Sequence, residues 1–450
     1  MLKIYLDWNV ITKLKFNKED SRELFNAIEE YRGFFVFPYS MAHLHDLRRG
    51  NPKCQGYSMD LDNLCTICET HLLEYSDEIG SAFPYQCTPR EYLERMKDEL
   101  DVFFSGFTKE SFANMLSNRG IDFSTFMDEL AKVEISPVEI PFLNVKVDNA
   151  KDGLETVFKL GERYAKDKSV SGKVFKYLKE TTTEPQFEEI MKSNPDNIFQ
   201  VLDGITKQQV NKSFVEIIED FQTQKNDKAF LISVYMALNA AGFFPDKKKS
   251  LLNIYTDAEH CYYASKCDVL VSDDENLREK AKALFKLFGI RTLVMEIDDF
   301  IKFIKEETEQ EYNLVNYLVN IVPEYEKPTR DEGELLYYKQ LLFRFFGLFN
   351  FCSEIDTLFK GLRPVAQRIV LPPNGFVYYT ELEKFFDIIE FLLDDNGKKA
   401  FKEQYRDVFL SRDKERILKV SFTIDLGNFL MQLRADPDSA IPLPMMILAR

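Results

Sequence analysis

At 450 residues the chain exceeds the size at which one hydrophobic core keeps growing, so two domains, or one domain with a large insertion, are expected. With 45% hydrophobic and 14% aromatic residues it is too rich in core-forming side chains to be a disordered chain. A net charge of −16 excludes a broad, unspecific nucleic-acid surface, which Lys and Arg would have to supply, and leaves only local contacts to phosphates.

In chain order, KIYLD reads as a short β-rich run, LFNAIEEYR as a helix, FFVFPYS as a second aromatic, β-rich run and MAHLHDLRR as a second helix. That alternation predicts a parallel α/β sheet over 1–50. From 51 to 229 the pattern changes to helical segments separated by polar breaks, such as YLERMKDELDVFF, GLETVFKLGERYAK and SFVEIIEDFQ. VEISPVEIPFLNVKVDNA, with two prolines, reads as an irregular connection or an extended edge. The block is expected to be an all-helical insertion. Over 230–305 the α/β signature returns, with the helix AFLISVYMALNAAGFF, a helix through TDAEHCYYASKC, the buried strand DVLVSDDENL running into an acidic turn, the helix REKAKALFKLF and the strand RTLVMEI. Residues 306–450 read as a mainly helical, aromatic region, as in ELLYYKQLLFRFFGLF and LEKFFDIIEFLL.

The opening MLKIYLDWNV is not a basic run followed by an apolar stretch and a cleavage site, so no signal peptide is expected. No apolar stretch approaches the roughly 20 residues of a membrane-spanning helix. An odd count of seven Cys without a signal points to reduced thiols and a cytoplasmic location.

Asp7 closes the first strand, and Asp273 and Asp274 close a later one. In an open parallel sheet, side chains at the carboxyl ends of strands leave the packed interior and meet ligands. Asp46 lies on the helix after the second β-run, and Asp257 at or near the start of the helix leading into the Asp274 strand. A doubly wound sheet brings all four together. Convergent carboxylates repel one another unless protons or cations sit among them, and hard ions such as Mg²⁺ and Mn²⁺ prefer oxygen ligands. Such a site hydrolyses phosphodiesters without a Ser, His or Cys nucleophile.

At these residues the sequence resembles the PIN-domain nucleases. LDWNV at 6–10 is similar to that family's opening motif, an Asp followed two positions later by Asn, and DAEHCYYASKCDVLVSDDENL at 257–277 to its closing motif. The resemblance implies a PIN-like doubly wound parallel sheet, split by the helical insertion and followed by the mainly α-helical C-terminal region. It implies Asp7, Asp46, Asp257 and Asp274 as catalytic residues and ligands of Mg²⁺ or Mn²⁺, with Asn9 and Ser272 in support; Asp273, beside Asp274, adds a further supporting charge. Asp46 stands where the family usually has Glu, and Trp8 where it has a small polar residue. The likeness covers 1–50 and about 230–305. It implies an endonuclease, with RNA favoured over DNA as substrate, and is compatible with a role in stress response or defence.

Each residue also has a plainer role. Asp and Asn after a strand initiate turns, and Asp257 fits a helix N-cap. Glu259 and Glu275 read as solvated or supporting charges. Arg278, Lys282 and Lys286 recur every four residues, as a solvated face or a short track for RNA phosphates. Cys65 and Cys68 with His71, and Cys54 and Cys87 nearby, lack the second regularly spaced pair of a zinc site. Two other function classes remain open: a catalytically inactive PIN-like binding or scaffold protein, and a catalytic unit that docks a protein partner or a second copy through the C-terminal region.

Overall fold

The five-residue run Leu2–Leu6, apolar except for Lys3, forms strand β1, and Ile4, Tyr5 and Leu6 are buried. The computed structural model describes residues 2–14, 19–32, 35–50, 55–97, 100, 122–132, 134–140, 145–152, 155–156, 184–220, 226–246, 249–309, 329–330, 336–337, 351–355, 365–369, 378–391, 393–411, 413–425, 429–435 and 442–448. After β1 come α1 (Trp8–Leu14), α2 (Glu19–Tyr31) and β2 (Phe35–Val36). The aromatic run FFVFPYS makes two strands instead of one: Pro38 has no N–H to contribute to a ladder, and the chain resumes as β3 (Tyr39–Ser40) in another sheet. Helix α3 (Met41–Arg49) follows, closed at its start by a reciprocal cap in which the Ser40 N–H donates to His43 Nδ1 (3.1 Å).

Two hairpins break the expected all-helical block. After α4 (Gln55–Cys68), β4 (His71–Ser76) and β5 (Ser81–Gln86) pair antiparallel, and β3 adds to β4 in parallel. Pro84 is tolerated because β5 is the edge of this sheet. Helix α5 (Pro89–Arg95) has Thr88 and Glu91 as a capping box. After α6 (Phe123–Ala131), the proline-containing segment read as an irregular connection or an extended edge is extended, forming β6 (Glu134–Ile140) and β7 (Val145–Asn149), an antiparallel pair. Helices α7 (Glu184–Lys192), α8 (Ile198–Val210) and α9 (Phe214–Asp220) complete the block. Most of GLETVFKLGERYAK lies outside the described residues.

The α/β pattern resumes as expected with α10 (Asp227–Ala241), α11 (Leu251–Ala264), β8 (Val269–Val271), α12 (Glu275–Leu287), β9 (Leu293–Met295) and α13 (Ile297–Glu309). Gly242 ends α10 at φ +100°, a conformation that β-carbon-bearing residues resist. The parallel sheet runs β2-β1-β8-β9. Strand order therefore reverses between β1 and β8, and all three residues of β8 are buried, as a covered parallel strand requires.

Among its described residues the C-terminal region, expected to be mainly helical, combines helices with strands. It carries a seven-stranded antiparallel sheet in the order β10-β11-β12-β13-β16-β15-β14. Its strands are β10 (Thr329–Arg330), β11 (Leu336–Tyr337), β12 (Phe351–Ile355), β13 (Val365–Ile369), β14 (Ser421–Asp425), β15 (Phe429–Ala435) and β16 (Pro442–Leu448). Leu336–Tyr337 is thus a strand inside a run read as helix, and the rest of FRFFGLFNF before Phe351 lies outside the described residues. LEKFFDIIEFLL does form a helix, α14 (Tyr379–Phe391).

The chain divides into two compact units, one of residues 4–22 and 37–297, the other of 1–3, 23–36 and 298–450. In the second, Phe386, Phe401, Tyr405 and Phe409 pack ring against ring. Among the described residues no helix is long and apolar enough to cross a membrane.

Candidate metal centre

Asp7 is the first residue beyond β1, and its N–H donates to the Val271 carbonyl (2.9 Å), carrying the β1–β8 ladder to the carboxyl ends of both strands. There the Ser272 hydroxyl donates to Asp7 Oδ2 (2.8 Å) and accepts the Asp274 N–H (3.0 Å), so one oxygen ties the two strand ends together. The Trp8 N–H donates to Asp7 Oδ1 (2.7 Å), and Asn9 Nδ2 lies 3.4 Å from Oδ2. Trp8 therefore contributes through its backbone, a role open to any residue but proline. Asn9 and Ser272 both contact Asp7, as expected of supporting groups.

Asp274 is the N-cap of α12: its Oδ1 accepts the Leu277 N–H (3.2 Å), which leaves Oδ2 to turn toward Lys249. Asp257, expected at the head of its helix, lies in the middle of α11 instead, because the helix begins six residues earlier with Ser250 as its cap. Asp246, five residues past the end of α10, completes the group. Asp246, Asp257 and Asp274 each offer a carboxylate oxygen within 4.8 Å of the others.

Two lysines face these three carboxylates. Lys249 Nζ lies 2.8 Å from Asp257 Oδ2, 2.5 Å from Asp274 Oδ2 and 3.5 Å from Asp246 Oδ1. Lys280, fully buried, donates to Asp246 Oδ2 (2.5 Å) and Asn239 Oδ1 (2.9 Å), with its ammonium 4.6 Å from the Tyr235 ring centre. Asn276 Nδ2 also donates to Asp246 Oδ1 (3.0 Å). Burial pushes the Asp257 carboxyl up to about 7 against the opposing Lys249 ammonium, with Asp246 and Asp7 adding to the rise. For Asp274 burial acts in the same direction but is outweighed by Lys249 and the Leu277 N–H, so its carboxyl sits below the usual range.

A second group surrounds His260, which the sequence reading passed over. His260 Nε2 donates to Asp46 Oδ2 (2.8 Å) and lies 3.9 Å from Asp7 Oδ1, while Nδ1 meets the Tyr5 hydroxyl (2.9 Å). Arg49 takes the other oxygen of Asp46 (2.5 Å) and also bonds Thr256 and the Leu252 carbonyl. Burial alone would lower the His260 pKa; the Asp46 bond and the charges of Asp7, Asp46 and Asp257 raise it above the ordinary value. Asp46 is correspondingly lowered, burial being outweighed by His260 and Arg49. Burial holds the Asp7 carboxyl above the usual range against the opposing His260 charge, with Asp46 pushing it further up.

The expected four-carboxylate cluster is therefore two linked groups. Asp257 and Asp274 converge with Asp246, which the sequence reading missed; Asp7 joins them through Ser272; Asp46 is committed to His260 and Arg49. Asp273 points elsewhere, to a solvent-exposed pair with Lys13 (2.5 Å). Glu259 is buried between His45 (2.6 Å) and Lys228 (2.7 Å). Arg278 donates to the Ser272 carbonyl (2.9 Å), whereas Lys282 and Lys286 pair with Glu279 (2.7 Å) and Asp196 (2.6 Å) at the surface. Cys65, Cys68 and Cys87 form no disulfide among the described residues, and His71 Nδ1 bonds the Cys68 carbonyl (3.0 Å); among the described residues the only group of three or more side chains able to hold a metal is the aspartate triple.

A signal for some of the missed residues was present. His260 lies three residues after Asp257 on one helix face, and Lys280 stands in the apolar stripe Leu277, Ala281, Leu284 of α12. Asp246, in the polar run PDKKKS, carried none. No protein-family model, curated protein or solved structure matches the chain.

Proposed function

We propose that the chain is a metal-dependent phosphodiesterase, an endonuclease acting on RNA in preference to DNA, with Asp246, Asp257 and Asp274 holding Mg²⁺ or Mn²⁺. The observation that carries this reading is the placement of three carboxylate oxygens within 4.8 Å of one another, beside strand ends where sheet order reverses. The donor set fits the ion: hard oxygens from three separate elements, with Asp257 and Asp274 still 15% and 17% exposed and so open to solvent. A divalent ion there supplies a Lewis acid that polarises a phosphoryl oxygen and acidifies a water.

The chain's own groups do the positioning. Ser272, Asn9 and the Trp8 N–H fix the rotamer of Asp7 at the edge of the cluster. Asp46 bonds His260 and, with Asp7 and Asp257, raises its pKa, which favours a protonated ring beside Asp7. Lys282 and Lys286 hold only solvent-exposed ion pairs, which are weak enough for phosphates to displace. The preference for RNA rests on the resemblance of the two motifs to PIN-domain nucleases.

The second reading, a PIN-like binding or scaffold protein without turnover, is favoured by the Lys249 ammonium, which neutralises the cluster from within the chain. A panel of single-stranded RNA and DNA incubated with Mn²⁺ separates the two. Turnover requires cleavage that disappears in folded Asp257→Asn and Asp274→Asn proteins. Absence of cleavage by wild type, or cleavage that survives both substitutions, removes the enzyme assignment.

A further inference from the structure

We infer that Lys249 is a built-in competitor for the divalent ion, so that metal enters the aspartate cluster only as this ammonium leaves it; the inference rests on the metal reading of Asp246, Asp257 and Asp274. Lys249 Nζ lies within 3.5 Å of an oxygen of each of the three, the position that a shared cation would take. Two positive charges cannot share that space without strong repulsion. The local charges give the exchange its stoichiometry. With Lys249 in place and all three carboxyls ionised, the carboxylates face two ammonium groups, Lys249 and Lys280, and a single negative charge is left over. With Lys249 withdrawn, two negative charges are left, which one divalent ion neutralises.

The two lysines differ in their freedom to move. Lys280 is wholly enclosed and also bonded to Asn239, so it stays as a fixed counter-charge. The Lys249 side chain is 28% exposed and lies just ahead of the Ser250 cap of α11, so a rotamer change carries its ammonium into solvent without disturbing the helix. Lys249 thus sets the threshold of metal concentration at which the cluster is filled.

The test is Mn²⁺ binding to the full chain, read from the loss of the free-ion electron paramagnetic resonance signal. Lys249→Met is expected to bind at least tenfold more tightly than wild type, and Asp274→Asn to bind far more weakly than either. If binding depends on Asp274 but Lys249→Met leaves it unchanged or weakens it, the competitor role is wrong while the metal site stands. If Asp274→Asn binds as well as wild type, or nothing binds at millimolar Mn²⁺, the metal site itself is wrong and the inference goes with it. A measurement on wild type avoids any folding defect of the variant: reductive methylation of the Lys249 amine, followed by mass spectrometry, should speed up severalfold when Mg²⁺ is added. An unchanged rate at saturating Mg²⁺ overturns the exchange.

Discussion

Ser272 acts on both strand ends at once, donating to Asp7 and accepting from the Asp274 backbone. Its removal should loosen the geometry without deleting a carboxylate. Groups that orient ligands in this way typically contribute ~10–100-fold in metal affinity or activity, so Ser272→Ala should lose about that much in a Mn²⁺ titration while its far-ultraviolet circular dichroism stays that of wild type. His43 supports the same region from below. Its Nε2–H donates to the Leu6 carbonyl (2.8 Å) and its Nδ1 accepts the Ser40 N–H, so both nitrogens are satisfied in the neutral ring. Burial, together with the His260 charge, lowers its pKa to about 3. The unfolded imidazole takes its proton near pH 6.5, so the unfolded state binds more protons between pH 6.5 and 3. His43 therefore costs stability as pH falls through that window, by up to ~1.4 kcal/mol per pH unit. Imidazole ¹⁵N spectra should show His43 as the Nε2–H tautomer down to pH 5, and a midpoint near 6.5 would contradict the enclosed setting. At this scale Asp7, Asp274 and Ser272 were legible because motif and strand end coincide, and Asp257 from the motif alone. His260, Lys249 and Asp246 were not, since their roles come from residues up to 255 positions away.

Helix α12 shows how an element can position a site and depend on it. Asp274 caps its first turn, and Lys280, one and a half turns on, reaches back to Asp246 from a fully buried position. Breaking a buried pair by removing one partner leaves an uncompensated charge, at a typical cost of about 3–5 kcal/mol. Lys280→Met should lose stability of that order in urea unfolding, and adding Asp246→Asn should restore part of it; additive losses would mean that the two side chains do not depend on each other. Ser250 sets where α11 begins, and hence that Asp257 projects from mid-helix. Ser250→Ala should cost about 1 kcal/mol in the same assay. The strands flanking the centre were readable because buried parallel strands are short, continuous apolar runs. The β4–β5 and β6–β7 hairpins were hidden by prolines at positions 84 and 137, and the C-terminal strands by aromatic runs whose short apolar stretches suit helix and strand equally.

For the whole molecule, the division of the chain decides what can be removed. The unit containing 298–450 also includes 1–3 and 23–36, with Leu24, Ala27, Ile28, Phe35 and Val36 buried. Deleting 306–450 removes most of the residues that share this unit, so the truncated chain should aggregate on size-exclusion chromatography. A monodisperse truncated chain of unchanged oligomeric state would show that 306–450 is dispensable and would argue against its being a docking element. The division was not readable from sequence because it groups segments far apart in the chain, 1–3, 23–36 and 298–450, which no local pattern encodes. The central claim, that Asp246, Asp257 and Asp274 jointly hold a divalent ion, is tested most directly by anomalous diffraction from Mn²⁺-soaked crystals. The account predicts one strong anomalous peak within about 2–2.5 Å of carboxylate oxygens of Asp257 and Asp274, with the Lys249 side chain turned away. A cluster without a peak at saturating Mn²⁺, or with Lys249 still between the carboxylates, would contradict it.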